Sequence, residues 1–206
     1  SLGELAETRQ ILGTDEEPTS VQMHARLAEP AGRAAAEKAV EEQTTHFDML
    51  GLQLGYAYEA GALVPDGTEA PQPVSPRIFE PSARPGARLP HAWVFFPAGE
   101  HRGTRLSSLD LIRSDSMTLL SFSEHEAWKD AADAVEGIPL IHHSVGLDVA
   151  DEEGTFRELC GLAEGGAILV RPDQHVAARF FRDSVMPPDS FKESLSSVLG
   201  QILSCH

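Results

Sequence analysis

Two cysteines, nine histidines and a run of acids between residues 148 and 153 are the side chains best suited to chemistry in this 206-residue chain. Cys160 and Cys205 are too far apart to make a CxxC pair, which excludes disulfide exchange through a local dithiol and leaves at most a lone thiol. Zinc and iron sites need three or four converging ligands. His142 and His143 are adjacent in an apolar run that reads as a strand, so their side chains point to opposite faces and cannot easily share an ion. Asp148, Asp151, Glu152 and Glu153 precede Gly154, but without the alternating spacing of a calcium loop they read as a solvated acidic loop. Neither G-x-G-x-x-G nor G-x-x-x-x-G-K-[ST] occurs, and Gly51 to Gly55 has the wrong spacing for either. No G-x-S-x-G elbow occurs, and nothing links Ser107-Ser108 to a His and an Asp. The expectation is therefore no catalytic, no cofactor-binding and no metal-binding residue in this chain.

The elements that would position such residues fall into three stretches. Residues 1–51 read as helical: a short helix over 3–12, then an amphipathic helix from Ala31 to Leu50 with Val40, Phe47 and Leu50 on one face, stopped by Gly51. Seven of the fourteen prolines lie between Pro65 and Pro90. Each removes a backbone donor and restricts the residue before it, so 52–115 reads as an extended connector with short strands. From 116 to 206 the pattern is regular. Strands are expected at 117–122, 138–146, 166–172 and 175–181, the last two joined as a hairpin around Pro172-Asp173. Helices are expected after Glu124, at 155–162, and after a capping box formed by Ser190 and Glu193.

The order β-α-β-α-β-β-α is that of a thioredoxin-like α/β domain; a ferredoxin-like fold, β-α-β-β-α-β, would differ by one misread element. A thioredoxin-like domain carries its reactive thiol at the start of the first helix, where the helix dipole lowers the thiol pKa. That position reads Ser121-Phe122-Ser123-Glu124 here, so the domain lacks redox cysteines, and Cys160 reads as a small buried side chain.

Charge narrows the partners. Sixteen Lys and Arg against 32 Asp and Glu give −16, which argues against nucleic acid and anionic membranes, both bound through clustered bases. With two cysteines, no apolar stretch near the ~20 residues of a membrane span and no signal-like start, a soluble cytoplasmic protein is expected.

Five stretches together resemble a known family. HFDMLGLQLGYAYEAGALVPDG (46–67) is similar to the segment that follows the FAD-containing part of flavin-dependent aromatic-ring hydroxylases of the phenol 2-monooxygenase and dichlorophenol hydroxylase type. PSARPGARLPHAWV (81–94), SSLDLI (107–112), MTLLSF (117–122) and GGAILVRPDQHVAARF (165–180) resemble, in order, that family's C-terminal domain. The resemblance implies a thioredoxin-like domain without redox cysteines, and an enzyme that uses FAD and NAD(P)H to hydroxylate aromatic rings. The FAD-binding motifs are absent, so the chain resembles the C-terminal portion of such an enzyme. Its expected partner is the flavin-binding portion of the same polypeptide, with a homo-oligomer possible. Trp93 is expected as a core anchor, Asp110 and Arg171 as hydrogen-bonding groups of loop and hairpin, and Gly165-Gly166 as a strand entry. The alternatives are a free-standing, redox-inactive thioredoxin-like binding module and a one-cysteine peroxidase or reductase.

Overall fold

The structure, a computed structural model, describes residues 19–69, 76–162, 166–181 and 188–204. The helix expected over 3–12 and Gly165 and Cys205 lie outside them. Two compact units result, one reaching Leu50 and taking in residues 76–78, the other holding the remainder.

In the first unit, Thr19 opens α1 (Ser20–Ala28) with a capping box: its hydroxyl accepts the Gln22 amide, and Gln22 Oε1 accepts the Thr19 amide at 2.9 Å. Extended Glu29 ends α1, and Pro30, whose fixed φ suits a first helical turn, starts α2 (Pro30–Phe47). The expected single helix over 31–50 is interrupted. Asp48 leaves the helical path and accepts Arg77 Nε at 2.8 Å, and a further turn, α3 (Leu50–Leu54), which begins on the last residue of this unit and runs into the second, contains Gly51 instead of stopping there. Of the expected apolar face, Val40 is 66% and Leu50 48% exposed, and no described side chain of α1 or α2 is buried.

The second unit is built on a sheet. β1 (Trp93–Phe95) and β2 (Arg105–Ser107) form an antiparallel hairpin, and a 3-10 turn (Ser108–Leu111) follows. Then come β3 (Met117–Ser121), α4 (His125–Asp133), β4 (Leu140–Ser144), α5 (Thr155–Leu159), β5 (Gly166–Val170), β6 (Val176–Phe181) and α6 (Pro188–Ser204). The four long strands lie in the order β4-β3-β5-β6. β3 and β4 are parallel across the α4 crossover, and β5 and β6 run antiparallel. This mixed sheet with its helices is the thioredoxin-like arrangement read from the sequence.

Side chains alternate across the sheet, so each strand feeds two cores. Leu119, Ala167 and Leu169 face Trp128, Ala131 and Phe191 of α4 and α6. Leu120, Ile168 and Val170 face Ala83, Leu89, Val94 and Leu111 from the proline-rich stretch, together with Phe156 of α5. The proline-rich residues also close the sheet edge. Gly86 donates to Val176 O at 2.8 Å, Val176 to Ala87 O at 2.9 Å and Leu89 to Gln174 O at 2.8 Å. A bulge near Val170 leaves Ala177 as the extra residue on β6, and its carbonyl accepts the Val64 amide at 2.8 Å.

Two local expectations need correction. Trp93 is not in the core: Ala92 and Val94 point inward, which turns Trp93 outward at 50% exposure. α6 starts at Pro188, so Ser190 and Glu193 lie inside the helix and do not open it. The hairpin turn at 171–174 is as expected, with Arg171 accepting from and donating to its ends and Gln174 in the left-handed region.

Gly86 is held at φ +91°, and a Cβ there would lie 1.9 Å from Tyr58 O, whereas Gly99, also at positive φ, has open space. Gly99→Ala should therefore lose only the left-handed penalty, about 1–2 kcal/mol. Gly86→Ala should lose more than that, because backbone must also move. Urea midpoints of the two variants against the parent test this; equal losses would show that the close approach at Gly86 does not exist.

Candidate functional site

The place where a thioredoxin-like fold carries its thiols is occupied by a serine and two histidines. β3 ends at Ser121, whose side chain is fully buried, and Glu124 in the left-handed conformation opens α4 at His125. The parallel pairing of β3 with β4 sets His142 beside this turn. Ser121 Oγ lies 2.9 Å from His125 Nδ1 and 2.8 Å from His142 Nε2. A hydroxyl has one proton, so at most one of these nitrogens accepts it, and the other must carry N–H and donate to the oxygen. Burial pushes His142 down to about 4 and lowers His125 as well; the Asp148 carboxylate opposes both shifts without overcoming them. Both rings are therefore uncharged near neutrality. With its oxygen shared between two imidazoles and no exposure, Ser121 is a crosslink between strand and helix, and it is not a nucleophile open to substrate.

His143 faces the other way, toward the Leu111 backbone, as strand alternation requires. Sequence reasoning treated the adjacent pair as the informative one and missed His125 with His142. The available signal was the β-α-β reading itself, which places the start of the first helix beside the second strand. Among the described residues no three His, Cys, Asp or Glu side chains converge as a metal site would need. Asp148 accepts the Ser144 amide, and Asp151, three residues before the Gly154 N-cap, accepts the first-turn amides of Phe156 and Arg157 in α5.

Cys160 is fully buried in the core against Phe156 and Leu162, and burial raises its pKa far above the ordinary thiol range. A buried, protonated thiol is a poor nucleophile, which removes the one-cysteine redox reading for this residue.

The motif residues near the hairpin do structural work. Arg179 crosses from β6 to the proline-rich stretch, donating through Nε to Asp66 at 2.7 Å and reaching Cys160 O at 3.3 Å, with both charged side chains under a tenth exposed. Burial alone would raise the Asp66 pKa, but bonds from Thr68 and Arg179 outweigh it and hold the carboxyl low. Arg171 pairs with Asp173 and lies over the Tyr58 ring, while His175 packs edge-on against Tyr58. Asp110 accepts the Ser107 amide as part of a capping box. His91 Nδ1 does meet Ser107 Oγ at 2.8 Å, yet Asp110 is engaged with backbone and Ser107 already accepts the Leu109 amide, so no catalytic triad is assembled.

The flavin that the resemblance implies does not fit these residues. A dinucleotide's pyrophosphate needs a glycine-rich strand-to-helix turn with free amides at the helix start. Among the described residues, the β-α-β crossover from β3 to β4 begins at Phe122-Ser123-Glu124, which has no glycine and sets a carboxylate there. A cavity of about 230 Å³ beside Leu54, Tyr56, Phe79, Arg84 and Arg88 carries two acids, Glu59 and Glu80, against its two bases. No flavin chemistry is assigned to any residue described.

A profile of the family "Aromatic-ring hydroxylase, C-terminal" matches residues 82–201. The 2,4-dichlorophenol 6-monooxygenase of Delftia acidovorans is 33% identical over 215 residues, covering 97% of this chain and 36% of that protein. A putative polyketide hydroxylase of Streptomyces coelicolor is 37% identical over 167 residues, 76% of this chain and 25% of its own length. Among solved structures, the flavin-dependent monooxygenase PieE, in complex with FAD and substrate, superposes with a TM-score of 0.73 at 34% identity, covering 100% of this chain and 36% of PieE. Aklavinone-11 hydroxylase, in complex with FAD and aklavinone, superposes with a TM-score of 0.62 at 32% identity over 75% of this chain and 27% of that one. The chain spans about a third or less of the length of these relatives.

The Ser121 cluster makes stability pH-dependent. A histidine whose pKa is depressed by folding binds fewer protons folded than unfolded. Its contribution is therefore complete above the unfolded value of 6.5 and is lost as pH falls toward about 4. Between pH 7 and 4.5, unfolding free energy should fall by about 1–2 kcal/mol on account of His142, a figure reduced for its partial exposure. His142→Gln should flatten that slope, and an unchanged slope would remove His142 as its source. Alkylation of Cys160 under native conditions should be slow and should track global unfolding; rapid reaction at mildly acidic pH would overturn its burial.

Proposed function

The chain belongs to the family of aromatic-ring hydroxylase C-terminal domains, and on that footing we propose that it is the C-terminal part of an FAD- and NAD(P)H-dependent ring hydroxylase, in which it supplies structure and contacts but no reacting group. The observation that carries this reading is the combination of a family match over residues 82–201 with a chain that spans only about a third of its relatives. The first two helices support it. α1 and α2 bury no described side chain, and helices that leave Val21 and Leu27 exposed make no core of their own. They read as the end of the preceding flavin or substrate portion, which would cover them. The fully used serine, the buried thiol and the carboxylate at the α4 N-terminus support a non-catalytic role. The flavin, the reduced nicotinamide and the aromatic substrate of the parent enzyme would be held by that preceding portion.

A chimera tests the proposal. In the 2,4-dichlorophenol 6-monooxygenase of Delftia acidovorans, the matching C-terminal segment is either replaced by this chain or deleted. The replacement should retain bound FAD, read by visible absorbance after gel filtration, and should hydroxylate. The deletion should lose flavin or stability. A deletion that keeps FAD and full activity would contradict a structural contribution, and flavin retained by the 206-residue chain alone would contradict the division of labour.

A further inference from the structure

Ser121 and Ser107 both hold a hydroxyl against an imidazole, and they differ in access. Ser121 is fully buried, whereas Ser107 is half-buried and its partner, His91, is exposed. Ser107 Oγ lies 2.8 Å from His91 Nδ1 and accepts the Leu109 amide at 3.1 Å. Among the described residues its one proton has no other acceptor within hydrogen-bond reach, so it is donated to Nδ1 and the imidazole stands as its base.

The pair is carried on fixed backbone. Ser108, beside Ser107 and fully buried, donates its hydroxyl to Pro90 O at 2.7 Å and accepts the Ala92 amide at 3.0 Å. Its own amide donates to Ala92 O at 2.8 Å. The residues on both sides of His91 are thus tied to the neighbour of Ser107, and Asp110 holds the Ser107 amide at 2.9 Å. A nucleophile and base held by buried crosslinks meet without a search over loop conformations, which is the preorganisation a reacting pair requires.

The same face offers a place for an aromatic group. The β1–β2 register sets Trp93 opposite Ser107 and Arg105 opposite Phe95, so Trp93, Arg105 and Ser107 share one face of the hairpin. Trp93 meets His91 edge-on at 4.8 Å, and Arg105 lies over its ring at 4.2 Å to the centroid. An electrophile at Ser107 therefore has an exposed indole and a guanidinium beside it, which suits an aromatic leaving group that departs as an anion.

We propose that Ser107 accepts acyl groups from small aryl esters, with His91 as its general base and Trp93 as the platform for the aryl ring. The bond from Ser107 Oγ to the acyl carbon forms as the hydroxyl proton passes to His91 Nδ1. The ester bond to the aryl oxygen breaks, and the phenolate released takes that proton from the imidazolium, so no further reactant is needed. Asp110 is engaged with backbone and does not support His91, so hydrolysis of the acyl-serine by water is slow and the acyl group accumulates. This reaction is separate from ring hydroxylation, uses the second unit alone and stands whether or not the flavin reading does.

The test is to treat the 206-residue chain with p-nitrophenyl acetate, follow p-nitrophenolate by absorbance and locate the acetyl groups by peptide mass mapping. Ser107 should be acetylated, and Ser114, which is exposed and meets no histidine among the described residues, should not. His91→Gln should slow acetylation of Ser107 by at least about tenfold, short of the ~100- to 10,000-fold of a fully oriented general base, and should remove the rise of that rate with pH. Trp93→Ala should slow the reaction of the aryl ester but not that of acetic anhydride, which has no ring to stack. Circular dichroism checks the fold of each variant. Acetyl groups confined to lysines and the chain terminus, a Ser107 no more reactive than Ser114, or a folded His91→Gln variant that matches the parent at every pH would each overturn the proposal. Equal slowing of both reagents by Trp93→Ala would overturn the platform. None of these outcomes bears on the flavin reading.

Discussion

A four-stranded sheet with apolar residues on both faces must be covered twice, and this constraint organises the second unit. α4 and α6 cover one face with Trp128, Phe191 and Leu195. α5 is a single short helix, so the other face cannot be closed by helices. Ala83, Leu89, Val94 and Leu111, drawn from the proline-rich stretch, complete that layer. The stretch is thus bound to the sheet by side-chain burial, by backbone bonds along the β6 edge and by the Arg179–Asp66 ion pair. The edge coverage has a further consequence: β6 presents fewer free backbone groups to another chain.

The sheet also fixes what stands at the start of α4. The turn between β3 and α4 is the natural place for an activated group, since it lies at a helix start. Here Ser121 is shared between two imidazoles, Glu124 would oppose an anion and the Cys160 thiol lies inside the core. Ser121 ties β3 to His125 of α4 and His142 of β4, and Cys160 fills the core. No described helix is long and apolar enough to cross a membrane.

Much of this was legible in the sequence because it follows from short-range periodicity. β3, β5 and β6 read as strands from continuous apolar runs, α4 from the spacing of Trp128, Ala131 and Ala132, and the turn at 171–174 from Pro172-Asp173. The features that escaped depend on which strands become neighbours. The Ser121–His125–His142 cluster exists only once β3 and β4 pair in parallel, and the Arg179–Asp66 pair joins residues 113 positions apart. Trp93 was misplaced for a different reason. An aromatic in an apolar run invites a core reading, yet the alternation of Ala92 and Val94 already assigns the inward positions, and period two then turns Trp93 to water. The break of α2 at Asp48 likewise required Arg77, beyond any local helix signal.

The proline-rich stretch and the sheet share one core and one set of backbone bonds, so they should open as one cooperative unit, whereas α1 and α2 bury no described side chain. Native-state hydrogen exchange of the 206-residue chain measures this directly. The amides of Val64, Gly86 and Leu89 should exchange with the same opening free energy as those of β3, β5 and β6, with α1 and α2 exchanging far faster. Connector amides that open independently of the strands, or helix amides protected as strongly as the sheet, would contradict the account.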